Sequence, residues 1–328
     1  MSKKITKIGV LTSGGDAPGM NAAIRAVVRA CSYYHLECVG VYRGYQGLIE
    51  GDFEKLDARS VRNVINRGGT FLKSTRSLEF KTKEGRKKAH DQLSEAGVDA
   101  LVVIGGDGTF TGGVFFSDEF NFPIVGIPAT IDNDIHGTDY TLGYDTALNT
   151  VVEAIDKIRD TASSHNRLFL VEVMGRDAGD IALNSGIGAG AEEILIPEES
   201  AGVERMLESL KKSKASGKTS SIIVVAEGER SGKNIFQLAD FIHEQDESYD
   251  IRVSVLGHIQ RGGSPSCFDR VLASKLGVGA VEAVIDGKTK VMIGIHHQNV
   301  VTVPLETAIK GEAKVDKELR RVADITSV

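Results

Sequence analysis

Short apolar runs bounded by glycine-rich turns recur along the chain and alternate with segments of helical periodicity. The runs Lys7–Thr12, Glu37–Tyr42, Leu101–Ile104, Pro123–Ile127, Arg167–Val173, Glu193–Ile196, Ser221–Ala226, Ile251–Leu256 and Val291–Ile295 predict strands. Most are rich in β-branched residues and do not alternate with polar ones, as in strands covered on both faces. Helices are predicted from the turn at 13–21 to about Tyr34, over Arg59–Arg67, and from a Thr82 cap to Ala96 with Gly97 as stop. Others are predicted over about Phe110 to Glu119, Tyr144–Ser163, Ile181–Ala189, Val203–Ser213, Ile235–Glu244 and Cys267–Ile285. In Tyr144–Ser163, residues Ala147, Leu148, Val151, Val152, Ala154, Ile155 and Ile158 make one apolar stripe. Alternating β and α defines an α/β chain with doubly wound, mainly parallel sheets. A chain of 328 residues exceeds one simple core, so two lobes are expected, the second starting near Tyr144.

The turns at strand ends carry the candidate chemistry, because open α/β sheets bind ligands there. Gly105-Gly106-Asp107-Gly108-Thr109 follows the most apolar strand. Glycines let backbone N–H groups approach phosphate oxygens, and a helix start adds partial positive charge. A lone carboxylate among such donors suggests a bridging cation, so Asp107 is the candidate Mg²⁺ ligand. The simpler alternative makes Asp107 a helix N-cap. Ser13-Gly14-Gly15-Asp16 forms a second turn of this type, distinct from GxGxxG and from Walker A. Arg25 and Arg29 share a helix face behind it. The loop Arg43-Gly44-Tyr45-Gln46-Gly47 is expected to close over a nucleotide base. Thr130-Ile131-Asp132-Asn133-Asp134 brings two carboxylates, an amide and a hydroxyl to a third strand end. Its spacing resembles a calcium loop, but Gly143 occupies the position that needs glutamate. In the second half, strand ends are read as supplying Arg176, Glu227, Arg252, His258 and Arg261, with Arg167 nearby. Guanidinium forks bind phosphate and the other groups hydrogen-bond hydroxyls, so the set suits a phosphorylated polyol.

Composition narrows the partners. Lys and Arg number 39 against 45 Asp and Glu, a net charge of −6, which argues against nucleic acid or an anionic membrane. No apolar stretch reaches the length of a membrane span, and the first residues do not read as a signal peptide. Cys31, Cys38 and Cys267 lack metal spacing and fit reduced, buried thiols in a cytoplasmic protein. Gly217-Lys218-Thr219 imitates the end of a Walker A loop, but Lys212 stands where its first glycine belongs. His296-His297 has no partners at metal-ligand spacing and reads as a structural pair.

Taken together, TSGGDAPGMNAAIR, NRGGT, GGDGT, TIDND, MGR, AEG and GHIQRGGSP closely resemble the bacterial 6-phosphofructokinases, in order from Ile8 to about Ala283. The resemblance implies two Rossmann-like lobes, 1–142 plus 257–305 for ATP and 143–256 plus 306–328 for the sugar phosphate. It implies transfer of the ATP γ-phosphate to the 1-hydroxyl of fructose 6-phosphate. By motif position, Gly15, Arg76, Gly106, Asp107, Gly108 and Thr109 would hold ATP and Mg²⁺, with Ser77 near the nucleotide. Thr130 and Asp132 would face the sugar hydroxyl, Asp132 as base, with Arg76 and Arg176 also counted in the catalytic set. Met174, Gly175, Arg176, Glu227, His258 and Arg261 would bind the sugar phosphate, and Arg167 and Arg252 would reach in from a neighbouring subunit of a homotetramer.

Relatives that use pyrophosphate typically carry Asp at the Gly108 position and Lys at the Ala129 position, so this chain reads as ATP-dependent. An NAD kinase is disfavoured by TIDND and by the arginines of the second lobe. A catalytically silent regulatory subunit is disfavoured by intact Asp107, Arg76 and Asp132. An effector site for ADP or phosphoenolpyruvate would use Arg25, Arg29, Arg159, Gly190, Glu192 and Lys218. Ser216 and Thr219 stand where basic residues are common in the family, so weakened effector binding is expected.

Overall fold

The computed structural model describes residues 4–165, 167–199, 202–217, 220–309 and 316–327. Its strands are β1 (Lys7–Thr12), β2 (Glu37–Val41), β3 (Phe53–Leu56), β4 (Ala100–Gly105), β5 (Ile124–Pro128), β6 (Leu168–Val173), β7 (Glu193–Leu195), β8 (Ser221–Ala226), β9 (Ile251–Val255), β10 (Val291–His296) and β11 (Asn299–Pro304). The helices are α1 (Met20–Tyr33), α2 (Tyr45–Glu50), α3 (Lys83–Glu95), α4 (Asp107–Phe120), α5 (Tyr144–His165), α6 (Asp180–Gly188), α7 (Gly202–Ala215), α8 (Ile235–Gln245), α9 (Cys267–Ile285), α10 (Leu305–Ile309) and α11 (Lys317–Thr326). Among the described residues, none of these helices is long and apolar enough to cross a membrane.

Two sheets result. The first runs β11-β10-β5-β4-β1-β2-β3, the second β7-β8-β6-β9. All pairings of the second sheet are parallel, and so are those joining β10, β5, β4, β1 and β2 in the first. The antiparallel pairs are β2 with β3 and β10 with β11 at the sheet edges. One compact unit holds 4–130, 134–146 and 261–309, the other 131–133, 147–260 and 316–327. These limits fall a few residues beyond those expected at 142, 256 and 305, and they assign 131–133 to the second unit.

Strand β4 is buried along its whole length, as its unbroken apolar run requires. Leu101, Val103, Phe110, Phe116, Ile124, Met292 and Leu305 form part of one core, with Tyr45 stacked on Phe80 at a ring distance of 4.0 Å. Each such large side chain contributes about 1.5–3 kcal/mol when fully buried. The second unit has its own core, in which Leu168, Leu170, Ile223 and Val225 meet Met206, Leu210, Leu238 and Ile242.

Several elements depart from the sequence expectations for local reasons. The 59–67 segment is a series of turns rather than a helix. Asp57 Oδ1 accepts the N–H groups of Arg59 and Ser60, and Asn63 lies at φ 58° in the left-handed region. Helix α4 begins at Asp107 and not at Phe110, with Gly106 in extended conformation as its N-cap. Strand β11 was not anticipated. It is joined to β10 through His297 and Gln298, both at positive φ, the signature of a tight type I′ turn without its usual Asn-Gly. Cys31 and Cys38 are buried as expected, but Cys267 is exposed.

Asp269 on α9 is fully buried and closes the start of α5. Its carboxylate accepts N–H groups from Gly143 at 2.9 Å and Thr146 at 2.9 Å, and the Thr146 hydroxyl at 2.5 Å. Burial pushes its carboxyl above the usual range even so. Asp269→Ala leaves these donors buried and unmatched, so stability should fall by about 3 kcal/mol or more. Asp269→Asn, which keeps one acceptor, should lose less. Denaturant melts of the three proteins check this.

Candidate active site

In the first unit, β1, β4 and β5 are adjacent and parallel, so their carboxyl ends share one edge. The ladder continues into the turns: Ser13 N–H donates to Ile104 O at 3.0 Å, and Ala129 N–H to Gly105 O at 3.0 Å. Thr109 Oγ1 donates to Ser13 O at 3.1 Å across the same point. A Cβ on Gly105 would lie 2.3 Å from Thr109 Oγ1 and 2.4 Å from Ser13 O, so packing alone demands this glycine. Gly108 is different. A Cβ there would meet nothing within 4 Å, and its φ is not positive, so the fold does not require glycine. Gly106 is nearly as open, with only Thr130 Cβ at 3.9 Å. Asp107 occupies the first helical position and Gly106 the cap, which removes the N-cap reading of Asp107.

Thr130 is half-buried and Asp132 is buried, in the loop after β5. The neck of that loop is closed by Leu142 N–H donating to Pro128 O at 3.0 Å and Thr141 Oγ1 donating to Thr130 O at 2.7 Å. Asn133 sits at φ 53°.

Segment 66–74 is stitched to the β1 turn by residues that the sequence reading left without a role. Asn21 Oδ1 accepts Phe71 N–H at 2.8 Å while its Nδ2 donates to Arg67 O and Gly68 O. Thr12 Oγ1 donates to Lys73 O at 2.9 Å, and Ser74 Oγ donates to Gly14 O at 2.6 Å. Arg76 follows this segment and is exposed. Ser77 Oγ bonds Gln46 and accepts Phe80 N–H, which stabilises the local turn. Tyr45 does not cover a base. Its ring is in the core and its hydroxyl donates to Thr109 O, while Arg43 pairs with Asp52 and Glu50.

Arg261 ends the short turn after β9 and belongs to the first unit. A Cβ on Gly15 would lie 2.2 Å from Arg261 Nη1, so the guanidinium rests on the β1 turn. Its Nε is buried with no hydrogen-bond partner.

In the second unit, Met174-Gly175-Arg176 follows β6 and Glu227 follows β8, its direct neighbour. Glu227 Oε1 accepts the N–H groups of Gly175 at 3.3 Å and Arg176 at 2.8 Å. Arg176 is exposed at φ 53°, and its carbonyl packs where a Cβ on Gly228 would fall at 1.9 Å. Glu172, on β6, has its carboxyl raised by burial and by neighbouring Glu227. His258 is exposed in the turn after β9.

Arg167 and Arg252 are not at these ends. Arg252 is the second residue of β9, and Arg167 immediately precedes β6. Both hold Asp250, at 2.8 Å from Arg167 Nε and 2.9 Å from Arg252 Nη2. The six residues of β6 separate them from Met174, about 20 Å along the strand.

Of the expected effector residues, Arg25 is half-buried and Arg29 exposed on α1 in the first unit. In the second, Arg159 Nη2 donates to Ala189 O and Gly190 O at 2.7 Å each, and its Nη1 lies 3.6 Å from Glu192 Oε1. Glu192 is buried and accepts Ile222 N–H at 2.5 Å, so it carries a structural load whatever else it does. Lys218 and Thr219 lie outside the described residues. Ser216 donates to Ser213 O.

The fold and these turns define an α/β protein with glycine-rich, phosphate-type turns at the carboxyl ends of parallel strands. The chain belongs to the phosphofructokinase family, whose profile matches residues 7–284. It is 52% identical over 321 residues to the ATP-dependent 6-phosphofructokinase 2 of Bacteroides thetaiotaomicron, covering 98% of each chain. It is 53% identical over 322 residues to the ATP-dependent 6-phosphofructokinase of Bacillus pumilus, covering 98% of this chain and 99% of that one. Among solved structures, the phosphofructokinase of Saccharomyces cerevisiae superposes with a TM-score of 0.87 at 37% identity, covering 98% of this chain and 48% of that chain.

The space beside Gly108 makes a testable distinction. Gly108→Ala should fold at least as stably as wild type, gaining up to about 1 kcal/mol from reduced freedom of the unfolded chain. Gly108→Asp should fold too, yet raise KM for ATP about tenfold or more by adding charge among phosphate donors. Melting curves with ATP kinetics on both variants check this; unchanged KM for ATP in Gly108→Asp would refute it.

Proposed function

We propose that this chain transfers the γ-phosphate of ATP to the 1-hydroxyl of fructose 6-phosphate, giving fructose 1,6-bisphosphate and ADP in the cytoplasm. The observation that carries ATP over pyrophosphate is Gly108, which the fold does not require and beside which a Cβ meets nothing. Ala129 is buried and brings no ammonium to the neighbouring strand end. The names of the similar bacterial proteins, ATP-dependent 6-phosphofructokinases, point the same way.

In this reading, Gly15, Gly106, Gly108 and Thr109 receive the nucleotide phosphates. The Arg261 guanidinium against Gly15, with its buried Nε, adds cationic charge at the same edge and favours an anion there. Asp107 fits Mg²⁺, which is typically held by one or two carboxylates together with substrate phosphates and water. When bound, Mg²⁺ would neutralise charge on the phosphates.

Phosphoryl transfer asks mainly for positioning and charge stabilisation. Asp132 accepts the 1-hydroxyl proton as the P–O bond forms, Thr130 orients that hydroxyl, and Arg76 and Arg176 stabilise the transferring group. Met174, Gly175, Glu227 and His258 bind the sugar phosphate. Arg167 and Arg252, at the amino ends of their strands, serve the site of a neighbouring subunit in a homotetramer. Arg25, Arg29, Arg159, Gly190, Glu192 and Lys218 bind ADP or phosphoenolpyruvate.

Asp132→Asn should lower kcat by about 10²–10⁴ with KM for ATP little changed. Steady-state kinetics decide, and a variant keeping most of its kcat removes Asp132 from the role of base. Arg252→Ala and Asp132→Asn should each be impaired alone. Co-expressed, they should regain activity above either parent, since mixed oligomers contain sites with an intact Asp132 and a neighbour's intact Arg252. No recovery would place Arg252 outside a shared site.

A further inference from the structure

Gln260 is fully buried, a polar side chain with no exposed surface in a turn that otherwise faces solvent at His258 and Ile259. Its Oε1 accepts the N–H of Met174 at 3.2 Å, and its Nε2 donates to the carbonyl of Gly257 at 3.0 Å. A backbone N–H needs an acceptor and a carbonyl needs a donor, so only one orientation of the amide satisfies both. The side chain therefore ties the turn after β6 to the turn after β9. The β6 turn is held from its other side too, because Glu227 takes the next two N–H groups, of Gly175 and Arg176. Three successive amides of Met174-Gly175-Arg176 are thus fixed by side chains from two other strand ends.

We propose that Gln260 is a positioning residue for the sugar-phosphate end: it sets the Met174-Gly175-Arg176 turn against the Gly257-His258 turn without touching substrate. The inference rests on the reading of those turns as the sugar-phosphate site. A binding constellation must be held to within fractions of an ångström by groups behind it, and a buried amide satisfied at both ends does this at fixed spacing. A purely apolar filler could pack the same volume but would leave one N–H and one carbonyl unmatched.

The test uses the full-length enzyme and two variants of similar size. Gln260→Met removes both hydrogen bonds. It should raise KM for fructose 6-phosphate about tenfold or more while KM for ATP stays within about twofold. Gln260→Glu supplies a sharper readout. Ionised, it can accept from Met174 but opposes the Gly257 carbonyl; protonated, it offers one acceptor and one donor, like the amide. Burial raises a carboxyl's pKa, so the protonated form should fill on mild acidification. KM for fructose 6-phosphate relative to wild type should fall as pH is lowered from about 8 to about 6, and Gln260→Met should show no such recovery. The other ionisable groups at these ends are Glu172, Arg176 and Asp177 after or on β6, Glu227 and Glu229 after β8, and His258 and Arg261 in the turn itself. They are common to all three proteins, so the ratio to wild type cancels their titration.

The proposal is overturned if folded Gln260→Met keeps the wild-type KM for fructose 6-phosphate, if both KM values rise together, or if the Gln260→Glu ratio is flat with pH. Should Gln260→Met fail to fold, the Gln260→Glu ratio decides; should both fail, Gln260 is a folding residue and the proposal falls. A wild type that phosphorylates fructose 6-phosphate beside variants indistinguishable from it defeats only Gln260. A wild type that neither phosphorylates nor binds that sugar defeats the activity reading as well.

Discussion

Gly105 is the point on which the first unit's site depends. Over its bare Cα pass the Ser13 carbonyl and the Thr109 hydroxyl, bonded to each other, while its own carbonyl receives Ala129 N–H. The β1, β4 and β5 turns are thereby held in one register. Any side chain here would push the turns apart by more than a hydrogen bond tolerates. The neighbouring glycines are under no such constraint. Gly108 is open around its Cα, which separates a glycine that packing needs from one that it does not.

The second unit uses a different device for the same end. Its turns after β6, β8 and β9 are joined by side chains rather than by an extended ladder. Glu227 and Gln260 take consecutive N–H groups of Met174-Gly175-Arg176, so the turn is shaped from both flanks. Arg176 is held at a positive φ that costs a non-glycine residue about 1 kcal/mol or more, a strain the surrounding bonds impose. The amino ends of the same strands carry Arg167 and Arg252 on a shared Asp250. A parallel sheet keeps its two ends a full strand length apart, so no local adjustment brings these arginines to Met174 within one unit.

Much of this was legible in the sequence. The strands β1, β4, β6, β8 and β10 and helices α3 and α9 announce themselves through unbroken apolar runs, a Thr82 cap and a Gly97 stop. Burial on both faces leaves little freedom in which residues such strands use. The glycine-rich turns after β1 and β4 and the Asp- and Asn-rich loop after β5 were legible too, because each interrupts an apolar run with turn-forming residues. Elements decided by edge pairing or by single backbone angles were not. β11 and its His297-Gln298 turn, the turns at 59–67, and the early start of α4 depend on contacts that no periodicity encodes.

The sequence by itself determined the α/β class, most of the strands and the glycine-rich turns at their ends, since local propensity is written residue by residue. Tertiary structure alone decided which of those residues meet. It set Arg261 on Gly15, and it put Arg167 and Arg252 at the far end of their sheet. It buried Tyr45 in the core, and it gave Asn21, Thr141 and Gln260 their partners. Each of these depends on distances between segments remote in the chain, which close packing and hydrogen-bond satisfaction fix only once the strands have found their order.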